Sequence, residues 1–186
     1  MNRLRVRIRS NHFIHDLLRG RHFPVVANIG CATDIDSEVL GEYEMTGGNR
    51  YGSYFGFDKM YCIDKDEQFR SVILSAYVGK NVEFLCENME NLSLLTNSID
   101  FIFSGWAIQY SRINHDKALS EFKRILKPNG KILISYDGRN KDNVSHTKIN
   151  PLIEKYINIE QSAMFQYVKG IDTLGCKGYV IFGDFK

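Results

Sequence analysis

The feature that most constrains this chain is a regular alternation of strand-like and helix-like patterns between Asn81 and Ser135. Short apolar runs at 82–86, 99–104 and 131–135 are typical of buried strands. Residues 115–126 instead place apolar side chains at helical spacing, directly before the turn sequence KPNG. Strands that alternate with helices predict a parallel sheet wound by right-handed crossovers.

The same alternation continues on both sides of this stretch. Upstream it predicts a strand at Pro24–Ile29, a helix near Asp34–Leu40, a strand that ends at Asp58, and a helix at Asp66–Tyr77. Downstream it predicts a helix near Pro151–Tyr156 and two strands, at 157–168 and 178–185. Because these two strands are consecutive, they are expected to pair as an antiparallel edge. The chain is therefore predicted to be an α/β protein, doubly wound around a mostly parallel sheet.

Composition narrows the class of protein further. The 186 residues are 44% apolar, which suits one domain with a basic lead-in at 1–23 and a C-terminal helix and strands at 139–186. A formal net charge of +2 is too weak to indicate nucleic acid or an anionic membrane as a partner. The four cysteines lack paired C-x-x-C spacing, so neither a zinc site nor a disulfide framework is predicted. No apolar run is long enough to span a membrane, and we expect a cytoplasmic protein.

The basic lead-in leaves two interpretations open. Its alternating Arg3, Arg5, Arg7 and Arg9 could form a targeting segment or an arm that contacts nucleic acid or phosphate. The alternative is an amphipathic segment whose intervening apolar side chains face inward while the arginines stay solvated. The second interpretation is favoured, because no aromatic side chain interleaves the first nine residues as a stacking surface would require.

Open α/β sheets bind ligands beyond the carboxyl ends of their strands, so a ligand motif is expected directly after a strand. The first predicted strand is not followed by the G-x-G-x-x-G of dinucleotide-binding enzymes. Neither a Walker A sequence nor a G-x-S-x-G nucleophile elbow occurs in the chain. Nucleotide hydrolysis at a P-loop and serine hydrolase chemistry are therefore not indicated.

Three segments of the central stretch, ENMENL, NSIDFIFSGWAIQY and LKPNGKILIS, closely resemble the second half of a class I S-adenosylmethionine-dependent methyltransferase. The resemblance implies a Rossmann-like sheet of seven strands with S-adenosylmethionine as cofactor. In this family the first strand leads into an acid and a glycine-rich turn, commonly D-I-G-C-G-T-G, around the methionine portion of the cofactor. The matching residues here are Asn28, Ile29, Gly30, Cys31, Ala32, Thr33 and Asp34.

This turn departs from the family pattern at the acid and at two of the three glycines, which are Ala32 and Asp34 here. An uncharged amide at Asn28 replaces the acid, and a methyl at Ala32 could crowd the cofactor or prevent the usual turn, since glycine normally supplies positive φ there. Asp34 could restore a negative charge near the cofactor ammonium. The favoured interpretation is that an acid at that point serves the start of a helix.

The resemblance assigns the rest of the cofactor site to the ends of the next three strands. Asp58 would accept hydrogen bonds from both ribose hydroxyls, with Lys59 in place of the usual apolar residue and Met60 as its substitute against adenine. Asn88 would accept a hydrogen bond from the adenine amino group, and the Met89 N–H would face the adenine ring. The remaining implied positions are Ser104 and Gly105, which would line the pocket floor, and Asp100, which would be structural.

The function implied by the resemblance is methyl transfer to a small-molecule or glycan-intermediate acceptor. The N-P-P-Y signature of nucleic-acid methyltransferases is missing, because SGWA stands in its place, so nucleic acid is the less favoured partner. Tyr110 and His115 are candidate bases, although core packing of Tyr110 and solvation of His115 are the favoured explanations. The alternative function is that of a methyltransferase-like protein without catalysis that acts as a binding or regulatory partner.

Overall fold

The structure is a computed structural model that describes residues 12–32, 54–110, 112–137, 146–167 and 176–186. The described residues do not include the alternating arginines at the N-terminus, the helix predicted near Asp34–Leu40, or Thr33 and Asp34 of the predicted turn. None of the helices in the described ranges has the length and hydrophobicity that a membrane span requires.

Seven strands form one sheet in the order β3-β2-β1-β4-β5-β7-β6. They are β1 His22–Ile29, β2 Gly56–Asp64, β3 Val82–Cys86, β4 Ile99–Gly105, β5 Leu126–Asp137, β6 Ile157–Tyr167 and β7 Cys176–Phe185. The first five strands are parallel, and β7 runs antiparallel to both β5 and β6. The predicted mostly parallel sheet with an antiparallel C-terminal edge is confirmed. Because the strand order reverses between β1 and β4, the ligand site is expected beyond their carboxyl ends.

Helices cover both faces of the sheet, as a doubly wound fold requires. They are α1 at residues 12–18, α2 Arg70–Ala76 after a short 3-10 turn Glu67–Phe69, α3 His115–Ile125, and α4 His146–Tyr156. One apolar cluster joins α1 and α2 to Phe101 of β4, and the other joins α3 and α4 to Ile102 on the opposite face. Adjacent residues of β4 thus belong to different cores, which is why a central parallel strand is a continuous apolar run.

The helix α3 begins where the sequence predicts. The side chain of Asn114 accepts a hydrogen bond from the Lys117 N–H at 3.2 Å, which satisfies one of the free backbone donors of the first turn. Asp116 in the first turn and Lys123 and Arg124 in the last turn complement the helix dipole. Its buried stripe consists of Ala118, Leu119, Phe122 and Ile125.

The predicted end of the second strand is wrong. β2 continues to Asp64, so Asp58 is only its third residue and lies at the amino end, with an oxygen 3.2 Å from Nε2 of His22. Lys59 pairs with Glu83 at 3.1 Å, and Met60 is a core residue with 1% exposure. The polar Lys59 does not end the strand because its side chain lies on the more exposed face, 4.3 Å above the Tyr61 ring.

Asp100 links three neighbouring strands at the centre of the sheet. Its Oδ2 accepts a hydrogen bond from the Val25 N–H at 3.0 Å, and its two oxygens lie 2.9 and 3.0 Å from Nζ of Lys127. These contacts join β1, β4 and β5, so the role of Asp100 in the structure is architectural.

We expect Asp100→Ala to lower the free energy of unfolding by about 1–3 kcal/mol, because the half-buried Val25 N–H loses its charged acceptor. Lys127→Met, which keeps that acceptor and removes an ion pair whose lysine is 42% exposed, should cost less than about 1 kcal/mol. Urea denaturation followed by circular dichroism measures both values. Equal losses in the two variants would contradict this role for Asp100.

Candidate functional site

The turn after β1 is tied to the end of β2. The N–H groups of Gly30 and Cys31 both donate to the Ile63 carbonyl, at 2.7 and 3.1 Å. Gly30 has φ of 72°, and a Cβ placed on it would lie 2.3 Å from Cβ of Ala107 and 3.5 Å from Cε of Met89. Glycine is required here by both backbone conformation and space, because segments after β3 and β4 approach it closely.

Ala32 does not prevent the turn. It adopts a positive φ of 45°, and its N–H donates to Oδ2 of Asp64 at 2.9 Å. The second oxygen of Asp64, Oδ1, accepts a hydrogen bond from the Asp66 N–H at 3.1 Å. One carboxylate at the carboxyl end of β2 therefore holds the turn after β1 and the start of the segment that leads to α2.

Asn28 and Cys31, on either side of the β1 end, are both buried. Asn28 is 2% exposed and lies in register between Cys62 of β2 and Phe103 of β4. Cys31 is 6% exposed and belongs to the apolar cluster on the α1 and α2 face. An amide at position 28 is compatible with this setting, since it places no unpaired charge in the sheet interior.

The residues after β3 form a tight polar turn. The exposed Asn88 accepts the Glu90 N–H on its side-chain oxygen at 3.1 Å and the Asn91 N–H on its carbonyl at 2.9 Å. Met89 is half-buried and packs against the core on the α3 and α4 face. The side-chain oxygen of Asn88 has two lone pairs, so it can accept a further hydrogen bond.

The residues at the end of β4 also lie at the carboxyl edge of the sheet. Ser104 is fully buried, and its Oγ has no hydrogen-bond partner among the described residues. Gly105 follows it and is half-buried, and Trp106 is 8% exposed with φ of 58° and donates its N–H to the Ser135 carbonyl at 2.8 Å. The left-handed conformation of Trp106 turns the chain toward Gly30 through Ala107.

Of the two candidate bases, His115 has a defined structural contact. Its Nε2 lies 2.8 Å from the Ile108 carbonyl, so this nitrogen donates and fixes the segment after β4 to the start of α3. Only Nδ1 remains to accept a proton. Tyr110 is half-buried, with the Arg112 guanidinium 5.1 Å from its ring centre.

The structure thus places most of the predicted residues at the carboxyl edge: Asn28, Gly30, Cys31, Ala32, Asn88, Met89, Ser104 and Gly105. Asp58, Lys59 and Met60 lie in the amino half of β2 and are not part of this edge. Asp64, at the carboxyl end of β2, was not predicted from the sequence. The continuous apolar run from Met60 to Ile63 was the available signal that the strand continues to it.

Comparison with known proteins agrees with this architecture. The family model described as "Methyltransferase domain" matches residues 28–134, which is more than half of the chain. Malonyl-[acyl-carrier protein] O-methyltransferase of Methylovorus sp. (strain MP688) is 29% identical over 111 residues, and phosphoethanolamine N-methyltransferase 1 of Triticum aestivum is 31% identical over 77 residues. These matches cover 59% and 40% of this chain, but only 36% and 16% of the two curated relatives.

Among solved structures, the N-methyltransferase NodS of Bradyrhizobium japonicum WM9, crystallised with S-adenosyl-l-homocysteine, has a TM-score of 0.68. It is 12% identical, and the match covers 94% of this chain and 86% of that one, which establishes the likeness of the folds. The chain belongs to the methyltransferase domain family, as a member of the class I S-adenosylmethionine-dependent group. S-adenosylmethionine is the cofactor of this group, as the resemblance implied.

Proposed function

We propose that this chain binds S-adenosylmethionine at the carboxyl edge of β1 to β4, with Asp64 as the residue that accepts the ribose hydroxyls. The observation that carries the proposal is the position of Asp64 at the end of β2, bonded to the turn that contains Gly30 and Ala32. A carboxylate offers about four acceptor sites. Two of them are used by backbone N–H groups, which leaves two for a pair of hydroxyls.

The other described residues suit the rest of the cofactor. The absence of a side chain at Gly30 lets the backbone approach the methionine portion, and Asn88 with the Met89 N–H suits the adenine edge. Asn28 replaces the acid of the family pattern with an uncharged amide. Asp64 returns a negative charge to the same turn, because its carboxylate accepts a hydrogen bond from the Ala32 N–H. These contacts favour cofactor binding over the alternative of a protein that has lost its site.

The sulfonium of the cofactor supplies an activated methyl group, so the protein contributes mainly by holding the acceptor in line with it. The His115 ring holds the segment from Trp106 to Tyr110, which borders Gly30 and would form one side of the acceptor space. An acceptor that loses a proton could release it to Nδ1 of His115, since Nε2 is committed to Ile108.

A small-molecule acceptor is the proposed substrate class, with a glycan intermediate as a further member of it. The two curated relatives support this choice, because their names specify methyl transfer to a malonyl group on a carrier protein and to phosphoethanolamine. One is an O-methyltransferase and the other an N-methyltransferase, so both a carboxylate and an amine should be tested as acceptors.

Calorimetric titration with S-adenosylmethionine and S-adenosylhomocysteine tests the proposal. We expect a single site with a dissociation constant of about 1–100 μM for both ligands, which corresponds to about 5–8 kcal/mol of binding free energy. Transfer of a labelled methyl group to carboxylate and amine acceptors then tests catalysis. Folded protein that binds neither ligand would overturn the proposal and favour a non-catalytic binding role.

A further inference from the structure

The connection between β3 and β4, residues 87–98, is held in place by α3, the helix that follows β4 in the chain. This connection contains no helix of its own. We propose that Glu121 and Arg124 of α3 are positioning residues that hold this connection so that Asn88 and Met89 meet the adenine end of the cofactor. The inference rests on the proposed function for the identity of that ligand.

Arg124 uses all of its donors in this contact. Its Nε and Nη2 bond the two oxygens of Glu121 at 2.8 and 2.7 Å. Nη2 also donates to the Leu92 carbonyl at 2.8 Å, and Nη1 donates to the Leu94 carbonyl at 2.8 Å and lies 3.5 Å from Oγ1 of Thr96. A guanidinium has five N–H groups in a fixed planar arrangement, and each has a partner here. A lysine at this position cannot reproduce the arrangement.

Glu121 also bonds the connection directly, as an acceptor. Its Oε2 accepts the Leu92 N–H at 2.9 Å, so the backbone of Leu92 is bonded through both its N–H and its carbonyl. The Arg124 guanidinium, followed by the Leu92 N–H, holds the pKa of the Glu121 carboxyl below its usual value, against the opposing effect of burial. The side chains of Leu92 and Leu94 are themselves buried in the core, at 5% and 8% exposure.

The contact is continued toward the adenine side by Ser93, which lies between the two anchored leucines. The Ser93 N–H donates to Oε2 of Glu87 at 3.0 Å, and its hydroxyl donates to Oε1 of the same carboxylate. Glu87 directly precedes Asn88. Hydrogen bonds from α3 to Leu92, and from the adjacent Ser93 to Glu87, therefore connect the helix to the turn that would meet adenine.

The same helix also holds the connection at its start. The N–H of Asn114, the N-cap of α3, donates to Oε1 of Glu90 at 2.9 Å. At the other end, the N–H groups of Asn97 and Ser98 donate to the carbonyls of Arg124 and Ile125 at 2.9 and 2.8 Å. Since α3 is anchored in the core by its whole buried stripe, it provides a rigid support for an irregular segment.

Two variants and a matched control test this inference. Arg124→Lys keeps the charge, and Glu121→Gln keeps the shape while it weakens the bonds to Arg124 and Leu92. Asp116→Asn is the control, since it makes the same carboxylate-to-amide change on the same helix, where Asp116 contacts Lys155 and Tyr156 of α4 rather than the connection. Amide hydrogen exchange of residues 87–98 and the dissociation constant for S-adenosylhomocysteine are measured for each protein well below its unfolding temperature.

We expect exchange in residues 87–98 to rise at least about tenfold in Arg124→Lys and Glu121→Gln, with β5 and β7 unchanged. The dissociation constant should rise about tenfold in both variants, whereas Asp116→Asn changes neither quantity. Faster exchange with an unchanged dissociation constant would overturn the positioning role, and unchanged exchange would overturn the physical contact itself. If the unaltered protein binds no cofactor while the variants still exchange faster, it is the proposed function that fails.

Discussion

Asp64→Ala is expected to weaken S-adenosylhomocysteine binding by at least about a hundredfold. The substitution removes the proposed acceptor of the two ribose hydroxyls, and hydrogen bonds to a charged group contribute about 1.5–3 kcal/mol each. It also releases the Ala32 and Asp66 N–H groups, so the turn after β1 keeps only its backbone bonds to Ile63. Calorimetric titration measures the affinity, and circular dichroism shows whether the sheet remains folded.

Asp58→Ala is the matched control for this prediction. It removes the same side chain from the same strand, but at the amino end, where Asp58 is 69% exposed and contacts only His22 among the ion pairs of the described residues. Its affinity for the cofactor should equal that of the unaltered protein. A loss of affinity in Asp58→Ala with normal binding by Asp64→Ala would show that the site lies at the opposite edge of the sheet.

Gly30→Ala is expected to lower the free energy of unfolding by about 2–4 kcal/mol and to abolish detectable cofactor binding. The new Cβ would lie 2.3 Å from Cβ of Ala107, so β1 and the segment after β4 must separate, and overpacking of this kind costs about 1–3 kcal/mol. The positive φ of 72° adds about 1 kcal/mol of backbone strain.

Gly79→Ala separates these two contributions. Gly79 has a similar φ of 77°, but a Cβ there would meet nothing within 4 Å, so only the backbone strain of about 1 kcal/mol should appear. Thermal and urea denaturation of the two variants gives the difference directly. If Gly30→Ala is no less stable than Gly79→Ala, the close approach of Ala107 to Gly30 is incorrect.

The parts of the fold that the sequence predicts well are those that depend on local patterns. β3 has the predicted bounds Val82–Cys86, α3 begins after its predicted cap Asn114, and the last two strands pair as expected. In each case the apolar period and the turn residues act within a few positions of one another. β2 does not end at Asp58 as predicted, since the strand continues through Lys59 to Asp64. Only the neighbouring strands show that the face of the sheet that carries Lys59 is partly open.

In the candidate site, too, the features carried by local sequence patterns were predicted better than those that depend on contacts between strands. The resemblance in residues 81–135 indicates the family and the adenine end, because those segments carry their pattern in consecutive residues. Ala32 shows the limit of such reasoning, since its methyl group could be expected to prevent the turn. The structure shows the turn formed at positive φ, with its N–H held by a carboxylate from another strand.

The sequence by itself determined the mostly parallel sheet with its antiparallel C-terminal edge and the methyltransferase family, because these depend on periodicity and contiguous motifs. The tertiary structure decided which acid meets the turn after β1, since parallel pairing of β1 with β2 brings Asp64 beside Ala32 and carries Asp58 to the opposite edge. It also decided that Arg124 supports the connection after β3. That contact joins residues about thirty positions apart, and only the packing of α3 against the sheet brings them together.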